Sequence, residues 1–243
     1  YKIWGGFEPA GFKLTDGVLH MANVYLLFWL IVRLFRHAQP AAERSPRQEV
    51  WVAALGAGLF AVHPVAVEPV TWVPGREELL MTLGALGCLH FHLTLRRLEA
   101  ADRRRSLRLA AQLGAALCCV AACLSNAVGA VIPLLITAWD TLALERPKLR
   151  RMITGTSGLW LIGVATIVVK RLGEVEHYVD YPRVLSGDWL ATILSVYWLN
   201  LKSLAWPTKL AVYYDRPNPC GLVDARGLLG AGGGGGPALG VAC

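Results

Sequence analysis

Long apolar runs alternate with short polar joints along this chain. The pattern predicts apolar helical bodies over residues 18–35, 50–63, 77–95, 107–124, 127–144, 153–169 and 188–206. Most of these runs hold 17 to 19 residues, close to the roughly 20 that a helix needs to cross a bilayer. The run over 50–63 is shorter and stops at Pro64, and the last run carries Asn200 and Lys202, which suit either a crossing or a re-entrant segment. The fold class expected is all-α, a polytopic transmembrane helical bundle with about seven apolar spans. Local signals refine it. Asp16 is placed to cap the first helix. Pro64, Pro69 and Pro74 predict that residues 65–75 are not regular helix. Glu77 and Glu78 fall where the dipole of the third helix favours acids. Ser125 and Asn126 break the fourth run, and Pro133 is expected to kink the fifth. Five consecutive glycines, Gly232 to Gly236, lose too much backbone entropy to hold a helix alone. Residues 1–226 therefore read as the multi-pass domain and 227–243 as a truncated or degenerate tail.

Composition sharpens the class. Of 243 residues, 55% are hydrophobic and 17% charged, with a mean hydropathy of +0.45; soluble domains hold about 45–50% apolar and about 25% charged residues. A disordered chain and a disulfide-stapled secreted domain are excluded. Four of the six cysteines, Cys88, Cys118, Cys119 and Cys123, lie inside apolar runs, where a small soft side chain packs well. The net charge is +7, which in a soluble protein would raise nucleic acid as a partner. Here the cations crowd the joints instead, 14 of them around residues 33–47, 96–108 and 146–151 against 6 on the alternate side. The positive-inside rule puts the 14 in the cytoplasm. Residues 1–16, 64–76 and 170–187 then face out, and nucleic acid is not expected as a partner. Glycine-rich phosphate loops, zinc-ligand spacings and nucleophile elbows do not occur. The chain opens at Tyr1 rather than a Met, so its true beginning is expected upstream.

The informative segment runs His63-Pro64-Val65-Ala66-Val67-Glu68-Pro69-Val70-Thr71-Trp72-Val73-Pro74-Gly75-Arg76-Glu77-Glu78-Leu79-Leu80. It places a histidine, carboxylates and one arginine beside the membrane surface. A guanidinium there matches the oxygens of a lipid phosphate. Equally, His63 and Pro64 end one helix, Glu68 pairs with Arg76, and Glu77 and Glu78 cap the next.

His63, Pro64, Glu68, Gly75, Arg76, Glu78 and Leu80 match, in order and spacing, the motif of the transmembrane and tetratricopeptide-repeat O-mannosyltransferases and their bacterial relatives. These are C-type (GT-C) membrane glycosyltransferases. Gly11-Phe12-Lys13-Leu14-Thr15 with His20, Val131-Ile132-Pro133-Leu134-Leu135 with Asp140, and Leu204-Ala205-Trp206-Pro207 with Tyr213 resemble further parts of that family. The resemblance covers roughly residues 5–219. It implies transfer of a hexose, mannose first, from a polyprenyl-phosphate donor to a protein or glycan acceptor outside the cytoplasm. Arg76, His63, Glu68 and Glu78 would be substrate-binding, and a divalent metal is compatible as cofactor. The catalytic acid would lie upstream of Tyr1 and the repeats beyond Cys243, so the chain by itself is expected to be inactive. Where the family carries a Lys-Glu pair, this sequence has Asn126 and Ala127, which removes one charge pair from the donor-phosphate grip. The location implied is a bacterial inner membrane, or the endoplasmic reticulum in a eukaryote. A non-catalytic membrane scaffold and a lipid or solute transporter are the rival classes; the transporter lacks a visible inverted repeat.

Overall fold

The computed structural model describes residues 9–38, 45–71, 75–143, 149–173, 194, 197–198 and 201–205. The chain divides into two units, Tyr1–Val175 and Glu176–Cys243. In the second, the described residues 201–205 are helical. Most of the predicted run 188–206, the acids of the 170–187 segment, Tyr213 and the 227–243 tail lie outside the described residues.

The first unit is a helical bundle, with no strand among the described residues. Its helices are α1 (Pro9–Ala38), α2 (Pro46–Val62), α3 (Val67–Thr71), α4 (Arg76–Ala100), α5 (Arg105–Ser125), α6 (Ile132–Ala143) and α7 (Leu149–Gly173). Among the described residues, four helical stretches are long and apolar enough to cross a membrane: Ala10–His37, Arg76–Ala100, Arg105–Ser125 and Gly155–Leu172. A fifth results if α2 and the segment Pro64–Thr71, bent by 51° from it, count together. The expectation of about seven spans is corrected to four or five among the described residues, and the run over 127–144 is not among them. Asn126 is extended, and its side-chain oxygen accepts the Val128 N–H, so the chain restarts as a 3₁₀ turn over Ala127–Val131. Only twelve α-helical residues follow, a rise of about 18 Å against a hydrocarbon core of about 30 Å.

Three local expectations change too. Asp16 does not cap: α1 spans Pro9–Ala38, which leaves this residue inside the helix and buried. The proline-rich stretch is not wholly irregular, because a 3₁₀ turn over Pro64–Ala66 leads into the single helical turn α3. Pro69 is the third residue of α3, where the missing N–H has no helical partner to lose. Pro133 is the second residue of α6, in its first turn, rather than a kink within it, for the same reason.

Packing follows from side-chain size. Cβ atoms built on Gly84 would lie 2.8 Å from the Cys118 carbonyl oxygen and 2.9 Å from the Ala122 Cβ, so only glycine lets α4 and α5 approach this closely. Cys88, Ala115, Cys119, Ala122, Cys123, Ile132, Ile136 and Leu159 form the buried core. The four described cysteines are free thiols, as the sequence reading had them. Outside the core the helices keep broad apolar faces exposed: Trp51, Leu55 and Leu59 on α2, Leu113, Leu117 and Leu124 on α5, Leu161 and Val169 on α7. Faces of that extent are stable in lipid, not in water.

Polar contacts give the helix directions. Asp16 meets Arg76 and Arg33 meets Thr94, so α1 and α4 run parallel. His20 bonds the Ala61 carbonyl and Arg36 pairs with Glu49, so α2 runs back along α1. The C-terminal ends of α1 and α4 and the start of α2 thus share one rim, with the joint 101–104, and His63, Arg76 and Asn126 lie at the opposite one.

Candidate functional site

At that opposite rim, Gly75 is buried and Arg76 begins α4. The Arg76 Nε donates to Asp16 Oδ1 at 2.6 Å, its Nη2 donates to the Phe12 carbonyl at 3.2 Å, and its guanidinium carbon sits 5.4 Å from the Phe12 ring centroid. Asp16 has 1% of its side chain exposed, Arg76 27%. A buried carboxylate therefore fixes an arginine that still reaches the surface. The two contacts use two of the five N–H donors of the guanidinium.

Below this pair, α1 carries a polar ladder at helical spacing: Asp16, His20 and Asn23. The His20 Nε2 bonds the Ala61 carbonyl at 3.1 Å and Asn23 Nδ2 donates to the Leu79 carbonyl at 3.0 Å. Because a carbonyl only accepts, the His20 Nε2 carries the proton. His20 Nδ1 and Asn23 Oδ1 are buried and have no hydrogen-bond partner among the described residues. Buried polar groups inside a membrane helix are costly, so such a ladder marks a position with a role.

The remaining motif residues stand around this cradle. Glu77 and Glu78 are exposed in the first turn of α4. Asn126 Nδ2 donates to Glu77 Oε1 at 3.1 Å, which ties the end of α5 to the first turn of α4. His63 ends α2, and its Nδ1 accepts the Val65 N–H at 3.2 Å, which turns the chain toward α3. Glu68 lies in α3, and its side chain is outside the described residues, as are Trp72, Val73 and Pro74. The segment α3 packs on both α1 and α4. No group of three or more His, Cys, Asp or Glu side chains in metal-binding arrangement occurs among the described residues.

The other rim holds a second buried cluster. His92 Nε2 and Asp140 Oδ1 are 2.9 Å apart, Arg96 pairs with both Asp140 oxygens, and Arg96 Nη1 donates to Glu99 Oε2 at 3.0 Å. This ties α4 to α6, and it places Asp140 as the partner of a nearby arginine.

Sequence reading singled out Arg76 without Asp16 as its partner. What the spacing does carry is the polar face itself, an acid, a histidine and an asparagine at positions 16, 20 and 23 on one side of an otherwise apolar helix, and not which helix it meets.

Long helices with lipid-facing apolar surfaces and charges collected at the rims define a multi-pass α-helical membrane protein. Its relatives narrow the class. The chain is 33% identical to protein O-mannosyl-transferase Tmtc2 of Drosophila melanogaster over 114 residues, 46% of this chain and 11% of the relative. It is 37% identical over 84 residues to protein O-mannosyl-transferase TMTC4 of Homo sapiens, and 35% identical over 88 residues to the Mus musculus TMTC4. The chain spans about one-ninth of the length of these curated relatives. It is related to the protein O-mannosyl-transferases, the family its motif resembles. No family model and no solved structure matches it.

Proposed function

We propose that this chain is part of the membrane portion of a glycosyltransferase that moves a hexose, mannose in the first instance, from a polyprenyl-phosphate donor to a protein or glycan acceptor. The observation that carries this reading is Arg76: the first residue of a membrane-length helix, held by a buried carboxylate, in a chain related to proteins named for O-mannosyl transfer. A polyprenyl tail belongs in the lipid beside the helices, which leaves its phosphate at the rim. There the fork of Arg76 stabilises the negative charge that builds as the sugar departs. His63, Glu68 and Glu78 support the contact, and a divalent metal would draw the exposed acids and the phosphate together. The arginine-rich joints face the cytoplasm and the Arg76 rim faces away from it. These relatives come from animals, which favours the endoplasmic reticulum membrane over a bacterial inner membrane.

The test is binding of a polyprenyl phosphate to the chain in nanodiscs of neutral lipid. A double variant, Asp16→Asn with Arg76→Gln, removes the fork without leaving a buried lone charge. A charge-assisted contact contributes about 1.5–3 kcal/mol, so binding should weaken at least about tenfold. Arg47→Gln, exposed at the start of α2, should change nothing. Unchanged binding in the double variant would remove the phosphate role and return the chain to the scaffold class.

A further inference from the structure

The joint between α4 and α5 is a built turn rather than a loose loop. Arg103 N–H donates to the Leu98 carbonyl at 3.0 Å and Asp102 N–H to the Glu99 carbonyl at 3.3 Å. Asp102 takes a left-handed φ of 44°. This is the hydrogen-bond pattern that closes helices through a left-handed residue. Arg104 then serves directly as the N-cap of α5. Four residues reverse the chain, and Arg103, Arg104 and Arg105 are held in sequence at the tip.

Their charge is not balanced nearby. Arg96 is turned inward, onto Asp140 and Glu99. Asp102, 96% exposed, stands 3.9 Å from Arg108, a contact that water screens almost entirely. Arg97, Arg103, Arg104 and Arg105 are exposed, and none of them forms an ion pair among the described residues. The first turn of α5 contains no acid, so its dipole adds to the excess positive potential.

Below the tip lies an apolar track. Leu109, Leu113, Leu117 and Leu124 are exposed along α5, and positions 105, 109, 113 and 117 follow one another at one helical turn. Arg105 thus caps a leucine stripe long enough to lie beside an acyl chain. A free phosphate needs only the cations, whereas a phospholipid uses both features.

We propose that the α4–α5 turn binds an anionic phospholipid, its headgroup on Arg103, Arg104 and Arg105 and an acyl chain along the leucine stripe of α5. In the orientation proposed above, this turn faces the leaflet in which anionic lipids concentrate.

The test uses the full chain purified in neutral detergent and titrated with a fluorophore-labelled phosphatidylserine. Phosphatidylserine should compete at least about tenfold better than phosphatidylcholine, and added salt should weaken binding. R103Q/R104Q/R105Q should lower affinity at least about tenfold, and Arg105→Gln alone severalfold. All three side chains are exposed, so retained helicity and monodispersity are the controls for folding. Leu113→Asn with Leu117→Asn should also weaken binding. Arg76→Lys should leave it intact, which separates this site from the polyprenyl-phosphate reading. Three results would overturn the proposal: unchanged affinity in both arginine variants, inorganic phosphate competing as well as the lipid, or an oligonucleotide displacing the probe better than phosphatidylserine does. The last would mark a nucleic-acid surface instead.

Discussion

Removing Arg76 while leaving Asp16 in place tests whether the rim cradle is built as described. Asp16 has 1% of its side chain exposed and meets Arg76 at 2.6 Å. Truncating one member of a buried pair costs about 3–5 kcal/mol, because the survivor keeps its charge without its partner. The 27% exposure of Arg76 lets water screen part of the attraction, so the lower end, about 3 kcal/mol, applies. At about 2–4 °C per kcal/mol for a chain of this size, Arg76→Ala should melt roughly 6–12 °C below the parent. The double variant Asp16→Asn with Arg76→Gln leaves no lone charge, and its loss should stay within about 1 kcal/mol. The buried thiols Cys88, Cys119 and Cys123 supply the assay: a thiol-reactive fluorophore in detergent reports unfolding as they become accessible. If Arg76→Ala melts with the parent, or the double variant falls as far as the single one, Asp16 does not depend on Arg76 and the cradle is wrongly drawn.

Packing and topology give four further expectations. Gly84→Val should lower thermal stability by about 1–3 kcal/mol, since its Cβ would meet Cys118 and Ala122. Gly58→Ala, with nothing within 4 Å of its Cβ, should be neutral or stabilising by up to about 1 kcal/mol in the same melting assay. Asp102→Gly should stabilise by about 0.5–1 kcal/mol, because glycine adopts the left-handed φ of 44° without steric cost; a lower melting temperature would contradict the turn described. Cysteines introduced at positions 47 and 103 of a chain in sealed vesicles should label from one side and a cysteine at 63 from the other, and labelling of 63 and 103 from the same side would reverse the helix directions.

The class of this protein was legible in its sequence because the signal is local. A membrane-length apolar run, an arginine-dense joint and a proline that cannot donate a bond each act through neighbouring residues. The order and spacing of His63, Pro64, Glu68, Gly75, Arg76 and Glu78 pointed to the family in the same way. The partnership of Asp16 and Arg76 was not legible. Sixty positions separate them, and only the parallel packing of α1 and α4 makes them neighbours; taken alone, an acid near the start of an apolar run reads as a cap. The same holds for Asn126, whose contact with Glu77 depends on α5 returning to the rim where α4 begins. The number of crossings was misjudged for a related reason. Residues 127–144 are apolar enough to span, but an asparagine side chain bonding the Val128 N–H sets a 3₁₀ turn that hydropathy does not register. Apolar patterning determines which segments enter lipid, because burial depends on each residue's own surface. Which charges meet at the rims is decided by helix direction and crossing, which exist only once the bundle has formed.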